Sequence, residues 1–408
     1  MKKNLIVIST FLLITISNVF SQGEAAVPFI NIQPGPNLNA MAGAFAALPS
    51  TDAFGQYFNP AQLGNFGRKR NISYQFYTHK TQWLPVFNDY DLTLRSSALA
   101  IGYTLKNIFQ NVPVSIGMGY IDTHLNLGED VWTDENGDYL GTFHSKERYA
   151  AYSIGIGIDY YVRLNIGYTF KKIHSKLGMS DAKANAEDVG FQLTLPLIRT
   201  IDTFRGKPFV FADGAIPFFD ISLGLAQSNK GKKVRYISGN QGDPLPKQAK
   251  IGYAISFGLS KEYHASKVGL VKFDWSSEAR DILVHRDDYG KRNNTTFPGE
   301  IEIWDNVLQG KSNEQITVYH GWRIKLLDIF QYSQGRFKGP GYPTFQRTHG
   351  FLFSTTGLLQ WLNVNYDWSV LKYAVKHFEL CYMGTRYTAD SPLNDIEFSA
   401  ISLSIFGF

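Results

Sequence analysis

Asp134, Asn136 and Asp138 stand at alternate positions in Thr133-Asp134-Glu135-Asn136-Gly137-Asp138, the spacing with which a calcium-binding loop begins. The match is incomplete. Gly137 precedes Asp138 instead of following it, and no closing glutamate comes after. The residues read better as a solvated turn around Asn136-Gly137, a pair that suits a hairpin. His144-Ser145 and His320 belong to no set of nucleophile, base and orienting group. Arg163, Lys171, Lys250 and Glu379 fall on the polar face of alternating segments, as lumen polarity rather than a proton relay. The single cysteine, Cys381, cannot form an internal disulfide and sits in a strand-like run, as a wall residue. These residues assign no catalytic group, no metal and no cofactor, and the chain is not read as an enzyme.

The elements that carry these residues show strict period-two patterning. Val162, Leu164, Ile166, Tyr168 and Phe170 alternate with Arg163, Asn165, Gly167, Thr169 and Lys171. Ile251, Tyr253, Ile255, Phe257 and Leu259 alternate with Gly252, Ala254, Ser256, Gly258 and Ser260. One face is apolar and the other small or polar, as in a strand whose outer face meets lipid. A soluble β-sandwich also alternates, but its polar face is the outer one and its domains are shorter. The composition agrees: 30 Phe, 23 Tyr and 7 Trp accompany 37 Gly, while mean hydropathy is only −0.18. Past the first residues no apolar run is long enough for a transmembrane helix, so any crossing is by strands.

Such segments recur about fourteen times between Asn71 and the C-terminus, an even number as bacterial single-chain barrels require, the later ones including Arg347–Thr356 and Tyr373–Tyr387. The fold class expected is all-β, a transmembrane antiparallel barrel with an N-terminal luminal plug. Short joins such as Asp159-Tyr160 contrast with longer intervals at 122–146, 199–217, 227–248, 284–312 and 388–395. The interval 199–217 fits a short-turn position poorly. Trp83, Trp132, Trp275, Trp304, Trp322, Trp361 and Trp368 are expected to divide between aromatic girdles and loop anchors.

Three parts follow. Residues 1–21 read as an export signal: Lys2 and Lys3, then the apolar Leu5–Ile16, then Val19-Phe20-Ser21 at the cleavage site. Its removal takes the formal charge from +5 to +3, which is no nucleic-acid footprint. Residues 22–66 form the plug segment, punctuated by Pro34, Pro36, Gly43, Pro49, Gly55 and Pro60 and rich in alanine from Ala40 to Ala47. Irregular backbone at membrane depth is tolerated where protein surrounds it, so this segment belongs inside the barrel. Residues 67–408 form the barrel. The ending Ser404-Ile405-Phe406-Gly407-Phe408 places an aromatic last on a strand, as the signal for barrel insertion does.

Val27-Pro28-Phe29-Ile30-Asn31-Ile32-Gln33-Pro34, Ala40-Met41 and Asn59-Pro60-Ala61, followed by Thr133–Asp138, Leu140-Gly141-Thr142-Phe143 and Ser391-Pro392-Leu393, resemble the PorV-like outer-membrane proteins of type IX secretion. Those proteins are similar to the FadL family of fourteen-stranded barrels, which carry an N-terminal plug with an Asn-Pro-Ala motif. The resemblance implies a plug motif of Pro34, Met41, Gly43, Asn59, Pro60 and Ala61, and partner binding by an outer loop at Trp132, Asp134, Asn136 and Gly137. It implies a multi-pass protein of the bacterial outer membrane, in contact with its lipid, that receives cargo by C-terminal signal domains and associates with the translocon and attachment complex. The alternative is a FadL-like transporter with a hydrophobic ligand in the lumen; no nucleic acid is implied. The chain departs from the PorV-like pattern at Gly35–Gly43, in the basic segment Asn229–Gln248 and in the extended loop 284–312.

Overall fold

The computed structural model describes residues 25–87, 91–109, 112–236, 242–263, 266–286, 292–366 and 368–407. The expected signal peptide, 1–21, lies outside the described residues, as does Phe408. Fourteen antiparallel strands close into one barrel: β1 Ile72–Tyr77, β2 Leu92–Phe109, β3 Val112–Thr133, β4 Tyr139–Asp159, β5 Arg163–Leu177, β6 Ser180–Pro196 and β7 Ala215–Gly231, then β8 Gln248–Tyr263, β9 Ser266–Ile282, β10 Ile316–Leu326, β11 Phe330–Gly339, β12 Tyr342–Ser354, β13 Phe378–Thr388 and β14 Glu397–Ile405. Neighbours in sequence are neighbours in the wall, and β1 closes the ring by pairing both β2 and β14. Closure removes the unpaired edges an open sheet would expose to lipid.

The alternation has its expected sense. On β4, Tyr152, Ile154, Ile156 and Ile158 are exposed on the outer face, while Tyr149, Ala151 and Ser153 are buried toward the interior. The end where β1 begins and β14 finishes is the proximal rim, and the opposite end is the distal rim. Among the described residues no helix is long and apolar enough to cross a membrane.

Three readings of the connections are corrected. The interval 122–146 is not a loop: β3 and β4 remain paired to Thr133 and Tyr139, so the hairpin projects beyond its neighbours and turns only at 134–138. The interval 199–217 contains helix α4, Leu197–Arg205, closed by Gly206 at φ 69°, the left-handed conformation that ends helices. Thr355 and Thr356 open helix α5, Thr355–Asn365, and Tyr373–His377 belong to helix α6, Ser369–His377; these residues had read as strand. Both helical insertions lie on the proximal rim. Part of the long connection after β9, Ile301 and the π-helical turn Ile303–Leu308, folds back over the outer wall. It packs on Ala249, Ala279, Ile316 and Val318.

The N-terminal segment fills the barrel. Short helices α1 Pro36–Asn39 and α2 Gly55–Phe58 and the longer α3 Gln62–Lys69 are joined by irregular chain, and almost every residue from Pro34 to Gly67 is buried. On the wall, Gly102, Gly117, Gly155, Gly167 and Gly190 lie opposite one another on five successive strands. The chain of the plug runs along this row. A Cβ on Gly117 would fall onto the Leu63 carbonyl, and one on Gly167 onto the Pro60 carbonyl. Across the barrel, Gly321 and Gly335 are opposite each other and receive Met41 and Ala42.

Gly167→Leu is expected to drive the plug from its seat, at a cost of about 1–3 kcal/mol typical of overpacking. A lower unfolding temperature of the detergent-solubilised barrel and protease cleavage between residues 34 and 67 are the expected outcomes.

Candidate functional site: a plugged interior and its distal mouth

The sequence placed Pro34, Met41, Gly43, Asn59, Pro60 and Ala61 in one motif, and the fold brings each of them into the plug's contact with the wall or its internal bracing. The Pro34 carbonyl accepts from the Tyr77 hydroxyl at 2.9 Å. Met41 is fully buried against Gly321 and Gly335. Gly43 has φ 76°, and its Cα faces Gln33 and Phe58 so closely that no side chain fits. Asn59 is the main stitch. Its Nδ2 donates to the Ala46 carbonyl at 2.7 Å and across to the wall at Phe191, 3.0 Å, while its Oδ1 accepts from Ala61 N at 3.0 Å. Pro60 therefore sits between an anchored residue and the first turn of the following helix, where a missing N–H costs nothing.

A second set of contacts is ionic. Glu278 and Arg280 face inward on β9, with Nε 2.5 Å from Oε1. Glu278 Oε2 accepts from Ala46 N at 2.7 Å, and Arg280 donates to the Gly43 carbonyl while its guanidinium lies 3.9 Å over the Tyr319 ring. Each charge thus has its partner and a backbone group of the plug, which offsets its loss of water. Below them, Asp274 joins Arg323 at 2.6 Å and Lys272 at 3.1 Å. Lys171 pairs with Asp188 at 2.7 Å, donates to Asn229 and faces the Tyr57 ring. Lys250 donates to the Phe58 carbonyl at 3.4 Å, and Arg70 pairs with Glu379. Arg163 binds Asp220 at 2.9 Å near the proximal rim. Lys171, Lys250, Arg163 and Glu379 were flagged as inward polarity; Glu278, Arg280, Asp274 and Arg323 were missed. The available signal was their phase: Asp274, Glu278 and Arg280 alternate with Trp275, Ser277 and Ala279.

Distal to this layer apolar side chains predominate, with the hydrogen-bonded pairs Ser96–Thr123 and Ser175–Glu147 buried among them. Leu94, Ile121, Leu125, Tyr149 and Ile173 of the wall meet Phe29 and Ile30 of the plug, with the Phe29 and Tyr149 rings 6.0 Å apart. Val234 and Leu245, from the connection after β7, enter the same cluster, and Ala26 N donates to the Pro244 carbonyl at 2.8 Å. The described parts of that connection, 232–236 and 242–247, cap the mouth. Its basic residues had marked it as more than a plain hairpin.

Trp132, Asp134, Asn136 and Gly137 lie apart from the plug, at the tip of the β3–β4 hairpin. Asp134 Oδ1 accepts from Asn136 N at 2.8 Å and Asp138 N at 2.9 Å, and Gly137 takes φ 87°. Hydrogen bonds from the Asp138 and Asn136 amides hold the Asp134 carboxyl below the usual carboxylate range. Val131, Trp132, Tyr139 and Leu140 are exposed there, Tyr139 at 66 %. Among the described residues no three His, Cys, Asp or Glu side chains come together as a metal site would require. Of the tryptophans, Trp275 and Trp322 face outward on the wall, Trp361 and Trp368 are exposed on the proximal helices, and Trp83 packs on the interior cluster.

No protein-family model and no curated protein matches this chain. Among solved structures it is similar to the Pseudomonas putida toluene transporter TodX (TM-score 0.39, 11 % identity, 90 % of this chain and 96 % of that one). It is also similar to the Ralstonia pickettii toluene transporter TbuX (TM-score 0.39, 11 % identity, 92 % and 98 %) and to the monoaromatic hydrocarbon channel CymD (TM-score 0.34, 10 % identity, 92 % and 96 %). At such values these likenesses carry no functional argument, and the architecture rests on the strand register above. None of these three is a type IX secretion component, so the PorV-like resemblance gains no support from them.

Glu278→Ala leaves Arg280 buried without its carboxylate, so a loss of about 3–5 kcal/mol is expected, read as a lower unfolding temperature in detergent. For the hairpin, the lowered Asp134 pKa means that the turn's extra stability is present above the ordinary carboxylate range. It disappears as pH falls through the depressed value. Amide exchange at Asn136 and Asp138 should therefore accelerate only below the ordinary aspartate range, and Asp134→Asn should remove that pH dependence.

Proposed function

We propose that this chain is a bacterial outer-membrane barrel, with its proximal rim toward the periplasm, that takes up an apolar small molecule through its distal mouth. The observation that carries this reading is the apolar cluster between the distal connections and the plug. A diffusion pore has a polar, water-filled interior. Here Leu94, Ile121, Leu125, Tyr149 and Ile173 line the path, capped by Val234 and Leu245 and floored by Phe29 and Ile30. A hydrocarbon or fatty acyl chain displacing those caps keeps the contacts that the caps now make, whereas a polar solute would leave its hydrogen bonds unmade. The plug is the gate: its proximal part is stitched by Asn59 and the ion pair, while its first residues are held by neutral hydrogen bonds, among them Ala26 N to the Pro244 carbonyl at 2.8 Å, Tyr57 Oη to the Ile30 carbonyl at 3.0 Å and Asn229 Nδ2 to Asn31 Oδ1 at 3.0 Å. The resemblance of Asn59-Pro60-Ala61 to the FadL-type plug points the same way.

A second reading is favoured by a separate observation. The β3–β4 hairpin, with Val131, Trp132, Tyr139 and Leu140 exposed, offers aromatic anchors and strand edges to a protein partner, as a type IX cargo-receiving component would.

The test is binding of an apolar fluorescent probe to the purified full chain. Leu125→Asp places a carboxylate in the apolar path and is expected to weaken binding at least tenfold, with the folded, heat-modifiable band on gels retained. Unchanged binding, or none by the parent chain, would overturn the transport reading. Loss of co-purifying surface proteins in Trp132→Ala/Tyr139→Ala, with probe binding absent in every variant, would move the protein to the secretion class.

A further inference from the structure

On the outer wall, His320 of β10, Arg336 of β11 and Arg347 of β12 are consecutive cross-strand partners. Their outward direction follows from their neighbours: Gly321, Gly335 and Thr348 face the plug, and Thr348 Oγ1 both donates to the Ala40 carbonyl and accepts from Ala42 N at 3.0 Å. Arg336 and Arg347 are exposed and directly opposite each other. Like charges so placed repel and destabilise a sheet. No carboxylate of a described residue lies within ion-pair distance of either guanidinium, whereas Arg386 on the next strand is held by Asp395 at 2.6 Å and Glu397 at 3.3 Å. Lys338 adds another cation, its Nζ 5.7 Å from the Phe345 ring over which Arg336 also lies at 4.7 Å.

This row borders a cleft of about 490 Å³ between the wall and Leu308–Gly310, with Trp275, Trp322 and Gln334 in its lining. Toward the proximal rim the next outward positions are Trp322, Gln334 and His349. One position further, roughly 13 Å along the strands from the arginines, the outer face becomes Ile324, Tyr332 and Phe351, joined to the apolar belt through the Trp322–Tyr332 and Phe273–Trp322 ring contacts. The cations therefore stand at the upper edge of the lipid-facing surface, at headgroup height.

We propose that Arg336 and Arg347, assisted by Lys338, bind the phosphate of a phosphorylated lipid in the leaflet at the distal rim, its acyl chains lying over Trp322 and Tyr332. Guanidinium groups take phosphate oxygens in pairs, and an anion between two opposed arginines converts repulsion into two charge-assisted contacts. Basic pockets on membrane walls recognise headgroups by this chemistry. The assignment to the outer leaflet rests on the orientation proposed above; the cationic row itself does not.

The experiment titrates the detergent-solubilised full chain with diphosphoryl lipid A, a dephosphorylated analogue and inorganic phosphate, followed by native mass spectrometry and tryptophan fluorescence. The expected result is binding of lipid A that weakens at least tenfold in Arg336→Gln/Arg347→Gln, persists in Arg386→Gln, is absent for the dephosphorylated analogue and is not competed by millimolar phosphate. Equal binding by the double variant, or by the dephosphorylated lipid, overturns the site. Full competition by inorganic phosphate overturns the lipid assignment. The substitutions lie outside the barrel, so a heat-modifiable band shows whether each variant is folded. Apolar-probe binding inside reports separately on the transport reading: its absence alongside intact lipid A binding sinks that reading alone.

Discussion

The constraint on which this structure depends is the close approach of two backbones, that of the plug and that of the wall. A barrel of this size has more interior than its own side chains fill, and here the vacancy is taken by a chain that runs against a row of glycines. Any side chain on Gly117 or Gly167 would meet main-chain atoms, which have no rotamer to escape into. The glycines therefore set where the plug lies. Asn59, Ser115 and Thr348, which hydrogen-bond its carbonyls and amides, then fix its register.

That proximity makes charge inside the barrel affordable. Glu278 and Arg280 are deeply buried, yet each is satisfied by the other and by one backbone group of the plug. Without the plug the same pair would face an empty or wet lumen, and without the pair the Ala46 amide would be an orphan. Seating and ion pairing are thus one cooperative event. Distal to it, the chemistry changes from paired charge to aromatic and aliphatic packing, and the proposed passage of an apolar molecule lives in that upper layer. The outer wall also divides by height, with exposed apolar side chains such as Tyr152, Ile154 and Ile156 and, at the edge of the proposed membrane zone, the cationic pair Arg336 and Arg347.

Much of this was legible beforehand because strand alternation is a local property. Val162–Lys171 announces its two faces without reference to any partner, and so do most of the other strands. The helices α4 and α5–α6 were missed for an equally local reason: stretches such as Leu197–Arg205 and Tyr373–His377 are short and partly apolar, with a pattern that a strand can also satisfy. Only the Gly206 cap distinguished the first of them. The interval 122–146 was taken for a loop because polar residues dominate where β3 and β4 leave the lipid, although their pairing continues.

What the sequence by itself determined was the barrel, its approximate strand number, the inward phase of Arg163, Lys171, Lys250 and Glu379, and a compact segment ahead of the wall. Each follows from periodicity or from punctuation by proline and glycine within a few residues. What only the tertiary structure decided were relations across long separations: Asn59 against Phe191, Gly43 and Ala46 against Arg280 and Glu278, and Arg336 opposite Arg347. Period two tells which face a residue takes, but shear and closure decide which residues of other strands share its height, and those are properties of the completed ring.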